Sequence, residues 1–125
     1  MRGQISFEYL FLSLVSLSLI SISVVALITI KDMSIMTVDL LHFASSARSL
    51  GNTINEVCAL GDGNSRSIDI GRAITVESTL ADVWIVRFSQ NDFSLVRPTL
   101  CKVEALHNIE KQVYVKNENG VVKLQ

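Results

Sequence analysis

At 125 residues and 13.8 kDa the chain has room for one domain with an appendage, which excludes multidomain enzymes. Hydrophobic residues make up 49% and charged residues 18%, and the mean hydropathy is +0.40, too apolar for a disordered chain and unusual for a plain soluble one. Eleven basic against twelve acidic residues, with no basic block, disfavour nucleic acid as a partner, and two cysteines exclude both a disulfide scaffold and an all-cysteine zinc site.

In chain order, the first element is an apolar run. Tyr9 to Ile30 is 22 residues without a charge, Gly or Pro. A bilayer-crossing helix needs about 20 residues, so this run reads as a membrane span. Its polar members are all Ser or Thr, whose hydroxyls can be satisfied on the helix's own carbonyls or across to a neighbouring helix. The alternative is a removable secretory signal, but the run exceeds the usual apolar region of such a signal and no A-x-A-like site follows it. Arg2 on one flank, against the cancelling pair Lys31 and Asp32 on the other, predicts a cytoplasmic N-terminus and an exported remainder.

Glu8 lies within the apolar stretch that begins at Gln4, and an unpaired carboxylate there is expensive to bury. It needs a partner or a function; the plain reading leaves it in the headgroup region. Around it, Arg2-Gly3 followed by Gln4-x-Ser6-x-Glu8-x-x-x-Leu12 resembles the class III signal sequence of archaeal type IV prepilin-like proteins. That pattern is a basic residue and Gly, then Q-x-S-x-E-x-x-x-L, followed by a hydrophobic run. The resemblance implies cleavage between Gly3 and Gln4 by a membrane-bound prepilin peptidase on the cytoplasmic side, leaving the apolar segment on the mature chain. It also implies that the carboxylate of Glu8 meets the freed amine of Gln4 on a neighbouring subunit. The two groups are oppositely charged at neutral pH. In an apolar core such a pair costs less to bury than either ion alone.

Beyond Lys31, the positions Met36, Leu40, Phe43, Ala47, Leu50, Ile54 and Val57 recur at alternating spacings of four and three, one helical stripe. Gly61-Asp62-Gly63 predicts its end. Gln4 to Leu60 then forms one helix of 57 residues, on the order of 85 Å long at 1.5 Å per residue. Its outer half is expected to serve as core for the segment that follows. A free coiled coil is the alternative, weakened by Ala44, Ala47 and Gly51, and Gly51-Asn52 could mark a bend.

After Gly63 the pattern turns to short β-branched and aromatic runs: 67–70, 74–77, 83–88, 93–96, 100–103, 112–116 and 121–124. Asn117-Glu118-Asn119-Gly120 predicts a hairpin loop, 104–111 reads as a helical turn or a loop, and Trp84 is expected in the core. Six or seven such strands suit an antiparallel sheet curled over the helix. The stretch Ala59–Arg66 also resembles the helix-to-head junction of archaeal pilins, whereas Gly71-Arg72 departs from the proline-containing end that often closes their first strand. The predicted class is α+β and type IV pilin-like: a long N-terminal helix, membrane-spanning in one half and amphipathic in the other, with a small C-terminal antiparallel β-sheet head. Its parts are a leader (1–3), an apolar helix (4–30), an amphipathic continuation (31–61) and a β-rich extracellular head (62–125).

Cys58 and Cys101 are candidates for one bridge between helix and head, two buried thiols being the alternative. His42 and His107 have no companion at ligand spacing, so no metal is expected, and no catalytic motif or Asn-x-Ser/Thr sequon occurs. A structural protein with no cofactor and no catalytic residues is therefore expected. By the resemblance, it is a pilin of an archaeal type IV-like pilus for surface adhesion, membrane-bound as a precursor and then part of an extracellular filament. The implied partners are the prepilin peptidase, other pilin subunits, the assembly ATPase with its membrane platform, and the bilayer before assembly. The alternative is a non-polymerising membrane-anchored surface protein, or a minor pilin that primes or binds.

Overall fold

The computed structural model describes residues 2–109 and 111–125; for residues 2–5, 107 and 108 it describes the backbone alone. The protein is α+β: one long helix, α1 (Arg2–Leu60), is followed by a small β domain. The chain divides into two compact units, residues up to Asp39 and Leu40–Gln125, so the last turns of α1 belong with the head. Gly51 introduces no break, since the helix is continuous through it. Gly61 ends it with φ +88°, a conformation open to a residue without Cβ. Asn64 then caps the end, its side-chain amide donating to the carbonyls of Leu60 (2.8 Å) and Gly61 (3.1 Å).

Among the described residues the head has eight strands: β1 (Ser65–Asp69), β2 (Ile74–Leu80), β3 (Trp84–Gln90), β4 (Phe93–Thr99), β5 (Lys102–Val103), β6 (Leu106–Ile109), β7 (Gln112–Glu118) and β8 (Val121–Leu124). They form two four-stranded sheets, ordered β1-β7-β8-β5 and β4-β3-β2-β6, where the sequence pattern predicted a single sheet. Every pairing is antiparallel except β5 with β8. Strand β6 falls in the 104–111 segment expected as a helical turn or a loop; its pairing with β2 through Ile74–Ile109 and Val76–Leu106 supplies the backbone partners that make it a strand. The β7–β8 connection is a two-residue turn, Asn119-Gly120, with φ of 56° and 77°. Positive φ at both positions matches the twist of the flanking strands. Pro98 sits on β4, an edge strand, where a missing N–H disturbs no second neighbour.

One core joins the last helical turns to both sheets. Phe43, Ala47, Leu50, Ile54 and Val57 are buried, together with Val76, Val86 and Phe88 from one sheet and Val113, Val115 and Val122 from the other. Val113, Val115 and Asn117 alternate inward along β7, as a period of two requires. Asn117 is buried with its polar groups engaged: its backbone N–H donates to Asn64, its carbonyl accepts from Gly63, and its side-chain oxygen accepts from the Gly120 N–H. This packing replaces the coiled-coil alternative for that part of α1.

Three expectations change. Met36 and Leu40 lie on the predicted stripe but are 64% and 45% exposed, so the packed stripe begins at Phe43. Trp84 is half-buried, not a core residue, with Lys102 Nζ 6.0 Å from its ring centroid. Gly51, expected only as a weak point or bend, is a buried contact position. A Cβ there would lie 3.6 Å from the Phe88 ring and from Arg97 Cδ, an ordinary van der Waals contact, so the packing of the helix on β3 and β4 leaves room for a methyl group.

Candidate assembly segment

The residues singled out by the signal-like motif lie in the first turns of α1. The backbone is helical at Arg2, Gly3 and Gln4, but their side chains are outside the described residues, as is that of His107. Ser6, Glu8 and Leu12 are exposed, and so are Phe7, Tyr9, Leu10 and Phe11 around Glu8. Glu8 therefore stands beside exposed apolar side chains, with no ion pair or hydrogen bond among the described residues. An exposed apolar surface of this extent suits lipid or protein more than water, and a carboxylate buried in either is costly without a counter-charge.

The Ser and Thr hydroxyls of the apolar run are satisfied internally. Ser16, Ser18, Ser21, Ser23 and Thr29 each donate to the carbonyl four residues back at 2.9–3.0 Å, and Ser13 donates to Leu10 at 2.8 Å. No hydroxyl in this set needs water, so the serines do not oppose burial in hydrocarbon. The five serines do not form a single small face: at 3.6 residues per turn Ser16 and Ser23 share one side, and Ser18 and Ser21 lie on another. Helix α1 is long and apolar enough to cross a membrane.

The end of α1 is tied to the head by covalent and polar links. Cys58 and Cys101 form a disulfide, with Cα atoms 6.0 Å apart. Around it, Asn55 accepts from the Leu100 N–H (3.3 Å) and donates to the Pro98 carbonyl (3.5 Å), Arg97 donates to Asn52 (3.3 Å), and Glu56 pairs with Arg66 (2.7 Å). Toward Leu40, Ser46 donates to the Ile70 carbonyl at 2.8 Å, and the rings of Phe43 and Phe93 stack at 6.0 Å. Strand β4 thus runs alongside α1 from Phe43 to Asn55, and Cys101 just beyond it is bonded to Cys58. The anchoring asparagines were not anticipated, because Asn52 and Asn55 fall off the apolar stripe and their partners are distant in the chain.

On the outer surface of the β7–β8 hairpin, Glu118 holds both Lys116 (2.7 Å) and Lys123 (2.8 Å). Hydrogen bonds from these two ammonium groups, first Lys116 and then Lys123, lower the Glu118 pKa to about 2, and the same carboxylate raises that of Lys123. His42 is exposed, and among the described residues no three His, Cys, Asp or Glu side chains gather into a metal-binding group. No family model, no curated protein and no solved structure matches the chain.

Proposed function

We propose that the chain is a structural subunit of a type IV pilin-like filament, in keeping with the resemblance of Arg2–Leu12 to archaeal class III signal sequences. The precursor sits in the membrane through the Tyr9–Ile30 run with its N-terminus in the cytoplasm. A prepilin peptidase cuts between Gly3 and Gln4, and the assembly ATPase with its membrane platform moves the subunit from lipid into a filament outside the cell. The subunit has no catalytic role; its activity is polymerisation, with surface adhesion as the outcome. The observation that carries the reading is Glu8, a carboxylate without an ion pair or hydrogen bond among the described residues, at the start of an exposed apolar run whose Ser and Thr hydroxyls are internally bonded. The freed amine of Gln4 on a neighbouring copy supplies the missing counter-charge, and the pair sets register between helices packed in a dry core. Moving such a helix from lipid to neighbouring helices exchanges one apolar environment for another, so extraction needs no large hydrophobic gain. The head–helix disulfide fits an exported head, since such bonds persist in oxidising compartments.

The test is Glu8→Gln, scored for cleavage and for filaments in parallel. Cleavage is expected to proceed while filaments fall below detection. Normal filaments from a cleaved Glu8→Gln chain would refute the pairing and the reading built on it.

A further inference from the structure

Two steps of the chain carry a chemical liability: Asp62-Gly63 and Asn119-Gly120 each place a carboxyl or amide side chain directly before a glycine. At such a step the glycine nitrogen can close on the preceding side-chain Cγ, because no Cβ on the glycine stands in the way. A new N–Cγ bond forms and a cyclic succinimide results. At Asn119 the Cγ–N bond breaks and the amide leaves as ammonia with the glycine proton; at Asp62 the Cγ–O bond of the protonated carboxyl breaks and water leaves with that proton. Solvent water then opens the ring to aspartate or isoaspartate.

Burial shields neither step. Asp62, Gly63, Asn119 and Gly120 are all exposed, and a Cβ at either glycine would meet nothing within 4 Å. Instead each glycine proton has an acceptor, and both acceptors belong to Asn117. The Gly63 N–H donates to the Asn117 carbonyl at 2.9 Å, and the Gly120 N–H donates to the Asn117 side-chain Oδ1 at 3.1 Å. Ring closure requires a nitrogen that has given up its proton, and a hydrogen bond from the N–H favours the protonated form. Asn117 is itself fixed: it is 2% exposed, and its own N–H donates to the Asn64 carbonyl at 2.9 Å. A third bond engages the side chain that closure at Asp62 would need, since Asp62 Oδ1 accepts from the Asn119 N–H at 2.6 Å.

We infer that Asn117 guards both steps against succinimide formation, and that Asp62 and Asn119 are the sites where isomerisation and deamidation begin once the head opens. Closure at Asn119 would strip the N–H from Gly120 and leave the Oδ1 of a buried side chain without its donor, which opposes the reaction in the folded head. Hydrolysis would then set a second carboxylate beside that of Asp62. Isoaspartate would also lengthen the backbone of the two-residue turn that pairs Glu118 with Val121. Modification at either step thus weakens the link between the end of α1 and the β7–β8 hairpin. All of these groups lie in one chain, so the protection is independent of filament assembly.

The test incubates the full chain, disulfide intact, in detergent at mildly alkaline pH, with a parallel sample in guanidinium. Peptide mapping by mass spectrometry then counts deamidated residue 119 and isoaspartate at residue 62. In the folded parent both reactions should run at least about tenfold slower than in guanidinium, because they wait for local opening. Asn117→Ala removes the acceptor of Gly120 but keeps the backbone carbonyl that holds Gly63. Residue 119 should therefore deamidate about fivefold faster than in the parent, the factor that one hydrogen bond's net contribution supplies, while residue 62 keeps the parent rate. An unchanged rate at residue 119 would overturn the assignment. So would acceleration of both steps together, which would show that Asn117 acts only by keeping the head folded. Amide hydrogen exchange of the parent needs no variant: the exposed Gly63 and Gly120 N–H groups should exchange at least about tenfold slower than in guanidinium, and exchange at the unfolded rate would overturn the guarding role.

Discussion

Removal of the Cys58–Cys101 bridge probes how the head is held to α1. The bond closes a loop between positions 43 apart in sequence. In the chain-entropy account, releasing a loop of that length from the unfolded ensemble costs about 4 kcal/mol at 25 °C. Both cysteines are partly exposed, so truncation to alanine adds little cavity energy of its own. The Cys58→Ala/Cys101→Ala chain, in the same detergent as the parent, should therefore lose most of this amount when unfolded in guanidinium. With a slope of about 3 kcal/mol per M, the midpoint should fall by about 1.3 M. Trp84, the single tryptophan and half-buried at the edge of the core, reports the transition by fluorescence. Reduction of the parent chain should reproduce the variant's midpoint. A midpoint within about 0.3 M of the parent's, equivalent to about 1 kcal/mol at that slope, would refute the argument that the bridge restrains the unfolded head.

The same assay reads three further variants. Ile54, fully buried where α1 meets the sheets, should cost about 2–5 kcal/mol as Ile54→Ala. Gly51→Ala should stabilise by about 0.5–1 kcal/mol, because the new Cβ meets Phe88 and Arg97 at an ordinary 3.6 Å and the helix gains a better former; destabilisation would show that β3 and β4 approach more tightly. Glu118 has a folded pKa of about 2, lowered from 4.5, so its pairing contributes fully above about pH 4.5 and is lost as pH falls through about 2. Glu118→Gln should flatten that acid-side dependence, and salt should do the same to the parent, since the group is on the surface.

Much of this architecture is legible in the chain because its signals are local. The uninterrupted run Tyr9–Ile30 and the alternating four-and-three spacing from Phe43 to Val57 state a helix directly, and Gly61 marks its end. Alternation in 112–116 identifies the inward valines of β7. What was not legible depends on partners distant in sequence. Nothing local to Lys102–Val103 indicates that it pairs parallel with β8, or that the strands divide between two sheets. Leu106–Ile109 has no clear period and becomes a strand through β2. Periodicity identifies which face of α1 is apolar but not how far the head covers it, which is why Met36 and Leu40 share the buried stripe and yet are exposed. Trp84 is apolar and sits between apolar neighbours, but the nearest buried residue on β3 is Val86, two strand pairs inward. In the assembly segment, Glu8 was conspicuous from sequence alone because a charge among so many apolar residues needs no tertiary information to stand out. Its counter-charge, on this account, belongs to another copy.

The central claim is that this chain is cut after Gly3 and leaves the membrane as part of a filament. Its most direct test is the intact mass and N-terminal sequence of the protein recovered from a surface fraction sheared free of membranes. The account predicts a chain in that fraction beginning at Gln4 with the Cys58–Cys101 bridge intact. A chain still beginning at Met1, and found only in membranes, would contradict it.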